Sequence, residues 1–373
     1  MSERVTSGRT TRDRPGARRA VAATAHVTLD AVAREAGVSP ATASRALNGT
    51  ATVRDNLRQR VHAAAERLGY IPNAHAQALA SAANNRTVGV ICHDVSDPYF
   101  AAISSGVMRA AAERGLLVML ASTFREPARE ISYVSMLRAQ RARAILLIGS
   151  GFQDRAWERA MDTELEPYVR AGGRVAVVSR HRSLRVDTVQ PENQAGAAAL
   201  ARALVGLGHR RFAVLSGPPE LTTVSDRLAG FREGLAEAGI GLDQVVEGAF
   251  TRDGGYEAAR RLLLSAARSP SRARPTCVFA VTDVMAVGAL AALREAGSRV
   301  PEDVSLAGFD DIPLVRELSP PLTTVALPLT SMGENAIALA LREVGAGRRA
   351  RVVRVEGEVV LRGSTGVPGR GLR

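Results

Sequence analysis

Cys92, His93 and Asp94 stand side by side and bring together a thiol, an imidazole and a carboxylate, the residue types of nucleophilic catalysis. Neighbours on a strand end point to alternate sides, so three consecutive residues cannot form a relay. The chain contains no G-x-S-x-G, no H-E-x-x-H, no G-x-x-x-x-G-K-S/T and no paired-cysteine motif, and an enzyme is not expected. Binding is better supported. Ligands of open α/β sheets sit beyond the carboxyl ends of the strands, and polar residues gather at such places here. Asp97-Pro98-Tyr99-Phe100 follows the apolar run 88–92, while Arg227 lies in a helix start, Ser225 to Phe231. Thr282-Asp283 and Gly308-Phe309-Asp310-Asp311 follow two further apolar runs. Asp283 either meets a ligand or caps the helix after it, and Asn193 either meets a ligand or fixes a turn.

These residues need a frame. From Thr87 onward, strand-like and helix-like runs alternate in two series of about a hundred residues each, which predicts parallel sheets with right-handed crossovers. Two similar α/β lobes with a cleft between them follow. Ahead of them, Val27 to Asn48 reads as two short helices around a tight turn. Leu29, Val32, Ala33 and Ala36 form one apolar helical face. Thr28 is the expected N-cap, with Asp30 in the first turn where the helix dipole favours negative charge. Gly37 is expected to end the helix in the left-handed conformation. Ser39 and Pro40 suit the N-cap and first position of a second helix. There Ala43, Ala46 and Leu47 would face inward, leaving Ala41, Thr42, Ser44 and Arg45 to point elsewhere. A third helix is expected over Arg54–Leu68, with Leu57 and Val61 in the shared core. On pattern alone, two capped helices around a glycine fit DNA binding or any small all-α fold.

Charge favours DNA. The chain of 373 residues has a formal net charge of +12, and all of its basic residues other than His are Arg. Residues 1–86 hold 13 Arg against 6 acids, and the rest 36 against 31, so the excess is concentrated at the front, where phosphate contacts would be wanted. Residues 1–25 read as a disordered basic tail rather than a signal peptide. No run of about 18 apolar residues exists to span a membrane, and Cys92 and Cys277 lie in apolar runs without metal-ligand spacing. Buried reduced thiols in a cytoplasm are expected.

The string G-V-S-P-A-T-A-S-R-A-L-N-G over 37–49, followed by Y-I-P-N over 70–73, resembles the lac repressor family of bacterial transcription regulators. The resemblance extends to the end of the chain. It implies an all-α helix-turn-helix domain over 26–72, a hinge helix and linker over 73–86, and a periplasmic-binding-protein-like effector and dimerisation domain over 87–373. Lobe one would hold about 87–188 and 322–346, and lobe two about 189–321 and 347–367. It further implies a homodimer on a palindromic operator in double-stranded DNA, a repressor's role, and a small polar effector, a sugar, in the interlobe cleft.

The resemblance also places residues. Thr28, Ser39, Ser44 and Asn48 suit phosphate contacts. Pro40, Ala41, Thr42 and Arg45 occupy the recognition helix, where Arg45 alone could read guanine bidentately. Asn73 would cap the hinge helix, and Leu79 matches the leucine that wedges into the minor groove. Arg227 matches the effector-anchoring arginine, Asp310 the carboxylate that accepts effector hydroxyls, and Phe100, in the run D-P-Y-F, an aromatic that stacks on the effector. Asp97 stands where the family has Asn, and Ser179 where it has Asp before Arg180. The ending after Val344 lacks heptad leucines, which argues against a tetramerising tail. The rival reading, a solute-binding protein of a transport system, shares the two lobes but has no use for residues 27–80. Neither reading needs a cofactor or a metal.

Overall fold

The structure, a computed structural model, describes residues 27–47, 53–70, 86–181, 184–267, 274–342 and 350–368. The chain divides into two compact units, residues 1–82 and 83–373.

The first unit contains helices α1 (Leu29–Ala36), α2 (Pro40–Leu47) and α3 (Asp55–Leu68). Val32, Ala33, Ala43, Ala46, Val61 and Ala64 form their core, with Leu29, Leu47 and Val53 packed at its edge. Leu57, expected in that core, is only half-buried. The small alanines let the three short helices approach closely.

In the second unit the apolar runs become strands β1 (Thr87–Cys92), β2 (Leu117–Ser122), β3 (Ala144–Ile148), β4 (Arg174–Val178) and β5 (Asp187–Pro191). They pair in parallel in the order β5-β4-β3-β1-β2, with Val88 opposite Ala144 and Ile145 opposite Val175. Such strands are covered on both faces, which is why their sequences are unbroken apolar runs rather than alternating ones. Helices α4 (Pro98–Ala112), α5 (Pro127–Ala139) and α6 (Arg155–Arg170) cover this sheet. Val90 and Leu146 face one core layer; Ile91, Ile145 and Leu147 face the other, with Trp157 and Met161.

The second sheet holds β6 (Phe212–Ser216), β7 (Gln244–Glu247), β8 (Cys277–Ala280) and β9 (Ser305–Ala307), in the order β7-β6-β8-β9. Its helices are α7 (Asn193–Gly206), α8 (Thr222–Ala236), α9 (Arg252–Ala267) and α10 (Asp283–Glu295). The chain then returns through β10 (Thr324–Ala326), adds α11 (Leu329–Leu341) to the first lobe, and ends with β11 (Val352–Val355) and β12 (Glu358–Val360).

One lobe assignment needs correction. The segment after residue 347, expected in lobe two, is shared. β11 pairs in parallel with β5 at the edge of the first sheet, Val353 opposite Val189. β12 then pairs antiparallel with β10, and Ser364 donates to the Leu306 carbonyl of β9 at 2.6 Å. The boundary near 188 also moves, because β5 continues to Pro191 within the first sheet. A short, half-exposed edge strand such as V-V-R-V gives no lobe signal of its own; its partner decides.

Candidate functional site

The helix-turn-helix is locally specified. Thr28 Oγ1 accepts the Ala31 N–H at 3.3 Å, and Gly37 takes φ +63°, the left-handed conformation that glycine tolerates best. Ser39 Oγ accepts the Thr42 N–H at 3.2 Å and shares a hydroxyl bond of 2.8 Å with Thr42. Arg54 contributes no side-chain cap to α3, as its residue type leads one to expect. A residue missed in the sequence, Arg60, reaches from α3 to donate to the Ala36 carbonyl at 2.7 Å and closes the end of α1. Ala43 and Ala46 are buried, so Pro40, Ala41 and Arg45 are left exposed and Thr42 and Ser44 half-buried. Asn48, Asn73 and Leu79, with the whole expected hinge helix, lie outside the described residues.

In the second unit, the order in which successive strands are added reverses between β1 and β3 in one sheet and between β6 and β8 in the other, all pairs remaining parallel. The carboxyl ends at these two switch points line one small cavity, with His93, Phe100 and Ser150 from lobe one and Thr223, Arg227 and Asp310 from lobe two. Its free room is about 20 Å³, little more than one water molecule needs.

Arg227 dominates it. Its side chain is 2% exposed, yet every branch of the guanidinium is engaged. Nε donates to Asn193 Oδ1 at 2.9 Å, Nη1 to the Val281 carbonyl at 2.7 Å, and Nη1 and Nη2 to Asp310 at 3.2 and 2.5 Å. The guanidinium also lies 3.9 Å from the centroid of the Phe309 ring. Asp310 takes a second donor, the Thr282 hydroxyl, at 2.7 Å. Burial pushes the Asp310 carboxyl up, and the neighbouring Arg227 charge pulls it back down. Asp310 also holds φ +116°, unusual for a residue with a side chain. The cluster thus presents a satisfied donor–acceptor pair at the cavity wall, and Asn193 belongs to it.

Asp283 does not line this cavity. It is fully buried, its Oδ2 accepting the Ile312 N–H at 3.0 Å and its Oδ1 the Thr324 hydroxyl at 2.7 Å. Burial first, and then the nearby Asp310 charge, raises its carboxyl to about 8. It braces the loop that carries Asp310, so its expected ligand role is corrected to a supporting one. Asp97 has two functions. Its Oδ1 caps α4 by accepting the Tyr99 N–H at 3.0 Å, and it also lines the cavity. Burial raises it to about 6. Phe100 is buried and meets the His93 ring edge-on.

His93 is held in the interior. Nε2 donates to the Ser150 carbonyl at 3.2 Å, and Nδ1 lies 3.3 Å from the Thr123 hydroxyl. Burial pushes the imidazole down to about 3, so it is a neutral packing group. Asp94 turns away to accept the Ser96 hydroxyl, and the thiol of Cys92 is buried and pushed up. Among the described residues, no group of three His, Cys, Asp or Glu side chains could hold a metal ion.

The lobes are latched on one side of the cavity. Arg180, after β4, forms a two-bond ion pair with Asp226 of α8, its Nε donating at 3.0 Å. Thr222 donates from its hydroxyl to the Arg180 carbonyl at 3.0 Å. Ser179, which replaces the expected Asp, lies 3.4 Å from the Thr223 hydroxyl across the lobes. Sequence motifs pointed to this position, but not to the latch.

Glu130 of α5 is buried, and burial raises its carboxyl to about 8, countered by the Trp157 indole. The folded state therefore binds more protons than the unfolded chain between about pH 4.5 and 8, and stability falls as pH rises through that window. From pH 6.5 to 8 Glu130 is expected to contribute a loss of about 1.5 kcal/mol. Urea midpoints should show a shallower decline in Glu130→Gln, and an identical decline would sink the assignment.

The fold defines a class: a two-lobed parallel α/β domain in a chain that also carries a helix-turn-helix unit, the arrangement of a DNA-binding regulator. Residues 28–73 match the model of the bacterial regulatory proteins of the lacI family, and residues 201–365 that of a periplasmic binding protein-like domain. The chain is 31% identical over 342 residues to the HTH-type transcriptional regulator DegA of Bacillus subtilis, covering 91% of this chain and 98% of that protein. The solved complex of the transcriptional regulator CelR with cellobiose is 32% identical, with a TM-score of 0.64, covering 91% of this chain and 99% of that one. The lac repressor dimer bound to operator and an anti-inducer is 26% identical at a TM-score of 0.72, with the same coverage. The chain belongs to the lacI family: it is a DNA-binding transcriptional regulator and not an enzyme. The helix-turn-helix match leaves no place for the transporter solute-binding alternative. Among the described residues, no helix is long and apolar enough to cross a membrane.

Proposed function

We propose that this regulator is a cytoplasmic repressor that binds a near-palindromic operator as a homodimer and responds to a carbohydrate held between its lobes. The observation that carries the reading is the buried Arg227–Asp310–Asn193 cluster at the carboxyl ends of both sheets. A guanidinium and a carboxylate side by side offer a donor and an acceptor to adjacent hydroxyls, the pattern a polyol presents. The related CelR, solved with cellobiose, supports a carbohydrate. The lac repressor, solved as a dimer on operator, supports a dimer. So do the exposed Leu117 and Met119 on edge strand β2, since apolar edges are normally covered.

On DNA, Thr28, Ser39, Thr42, Ser44, Asn48 and Asn73 would contact the backbone, which fixes register. Pro40 and Ala41 offer only apolar contact, Arg45 reads a guanine, and Leu79 opens the central base step. Effector binding shifts lobe closure and with it the operator affinity; by linkage, operator changes effector affinity by the same factor.

Fluorescence anisotropy with the full chain and the DNA upstream of its own and neighbouring genes tests this. Affinity should fall steeply between about 50 and 200 mM salt, and Arg45→Ala should cost about 1–3 kcal/mol on the operator but little on scrambled DNA. Equal losses on both would remove the base-reading role, and failure to bind any upstream DNA would overturn the operator reading.

A further inference from the structure

The turn that joins α1 to α2 is braced from a distant part of the chain. A helix leaves its last carbonyls without intrahelical donors. At the end of α1, the Gly37 and Val38 N–H groups donate to the Arg34 and Ala33 carbonyls at 3.2 and 3.0 Å. The Ala36 carbonyl accepts instead from Nη2 of Arg60 at 2.7 Å, across 24 positions of the sequence. A cation there also meets the negative end of the helix dipole. The same Nη2 stands 2.9 Å from where a Cβ on Gly37 would lie, and Gly37 holds φ +63°. The guanidinium thus lies against the residue whose backbone turns the chain from α1 towards α2.

Packing alone specifies this turn weakly. Both α1 and α2 are eight residues long, and the buried residues of α2 are Ala43 and Ala46. Across from them α1 buries Val32, Ala33 and Ala36. Small, uniform groups interdigitate little and leave a helix crossing free to shift. The third helix, α3, is longer at 14 residues, and Val61, next to Arg60, is fully buried in the core that the three helices share. It offers a fixed point, and the Arg60 bond extends that fixity to the α1–α2 turn.

We propose that Arg60 is a positioning residue for base recognition: through the Ala36 carbonyl it sets the angle at which α2 presents Ala41 and Arg45 to DNA. This rests on the operator reading above. Arg60 is exposed as a whole, so the rival role is a direct phosphate contact, and the two roles leave different signatures. A misplaced recognition helix loses sequence-specific affinity, because sequence is read by base contacts and not by phosphate contacts. A lost phosphate contact weakens all DNA alike and lowers the salt slope by about one.

Anisotropy with the full chain tests it on two probes, the upstream fragment that the parent chain binds most tightly and a scrambled copy. Arg60→Met keeps the stem and removes the donors, and Arg60→Lys restores a donor. Arg67→Met removes a second α3–α1 tie, the exposed Arg67–Glu35 pair at 3.3 Å. Arg60→Met is expected to weaken binding of the upstream fragment about tenfold and of the scrambled copy less than about twofold, with the salt slope unchanged. Arg60→Lys should recover most of the loss, and Arg67→Met should show none. Equal losses on both probes with a salt slope lower by about one overturn positioning in favour of a phosphate contact. Unchanged affinity for both probes overturns it as well, and so does an equally specific loss in Arg67→Met, since any tie would then serve. Thermal melts followed by circular dichroism check the fold: if Arg60→Met unfolds the first unit and binding of both probes is lost together, Arg60 is a folding residue and the proposal fails. A parent chain that binds no upstream fragment better than the scrambled copy overturns the operator reading, and the proposal with it, before any substitution is compared.

Discussion

Arg227→Ala is expected to cost about 3–5 kcal/mol of stability in the second unit and to abolish the effector response. The cost arises because the substitution strands Asp310 at a site where its side chain is 3% exposed, leaving the Thr282 hydroxyl as its side-chain donor among the described residues. A surface arginine of a ligand site would cost almost nothing. The discriminating control is Arg227→Leu combined with Asp310→Asn, which removes both charges; it should be markedly more stable than the single substitution. Denaturant midpoints of the three chains decide the matter. An Arg227→Ala chain as stable as the parent would show that the pair contributes nothing to folding. Operator binding should survive below the melting transition, because the first unit has a core of its own.

The second large effect is expected where α4 crosses α11. A Cβ added at Gly106 would lie 2.0 Å from the Thr330 carbonyl oxygen, and one at Gly333 would lie 2.0 Å from that of Ile103. Both clashes are with backbone, so no side chain can swing aside and the helices must separate. Gly106→Ala and Gly333→Ala are each expected to destabilise by about 3 kcal/mol, at the upper end of overpacking costs. One separation relieves both clashes, so the double substitution should cost clearly less than the sum of the singles. Thermal melts in a double-mutant cycle measure this. Strict additivity would show that each clash is relieved locally and that the helices do not move apart.

The two effects bear differently on function. Loss of the α4–α11 crossing loosens lobe one as a whole, whereas loss of Arg227 removes the group that joins Asn193, Val281 and Asp310.

How much of this was legible in the chain differs by feature. The helix-turn-helix was readable almost to the residue, since capping at Thr28 and Ser39 and the turn at Gly37 depend on neighbours within four positions. The parallel strands were readable because two-sided burial writes itself as V-G-V-I-C and A-I-L-L-I. Motif position also brought out Arg227, Asp310, Phe100 and Asn193. Arg60, Arg125 and Glu130 gave no signal, because an arginine or a glutamate in a mixed-polarity segment reads the same whether it faces solvent or an interior.

The sequence by itself therefore determined most elements, their order and the two-lobed class, which rest on local periodicity and spacing, while the family came from the resemblance of its motifs over 37–49 and 70–73. Only the tertiary structure decided which polar groups meet. It turned Asp283 away from the cavity into a brace for the Asp310 loop, and placed β11 in the first sheet. It also closed Arg180 on Asp226 and left Nε and Nη2 of Arg125 without acceptors. The physical reason is that a charged side chain's partner comes from distant parts of the chain: 83 residues separate Arg227 from Asp310, and no local pattern encodes a contact that forms only when two sheets bring their carboxyl ends together.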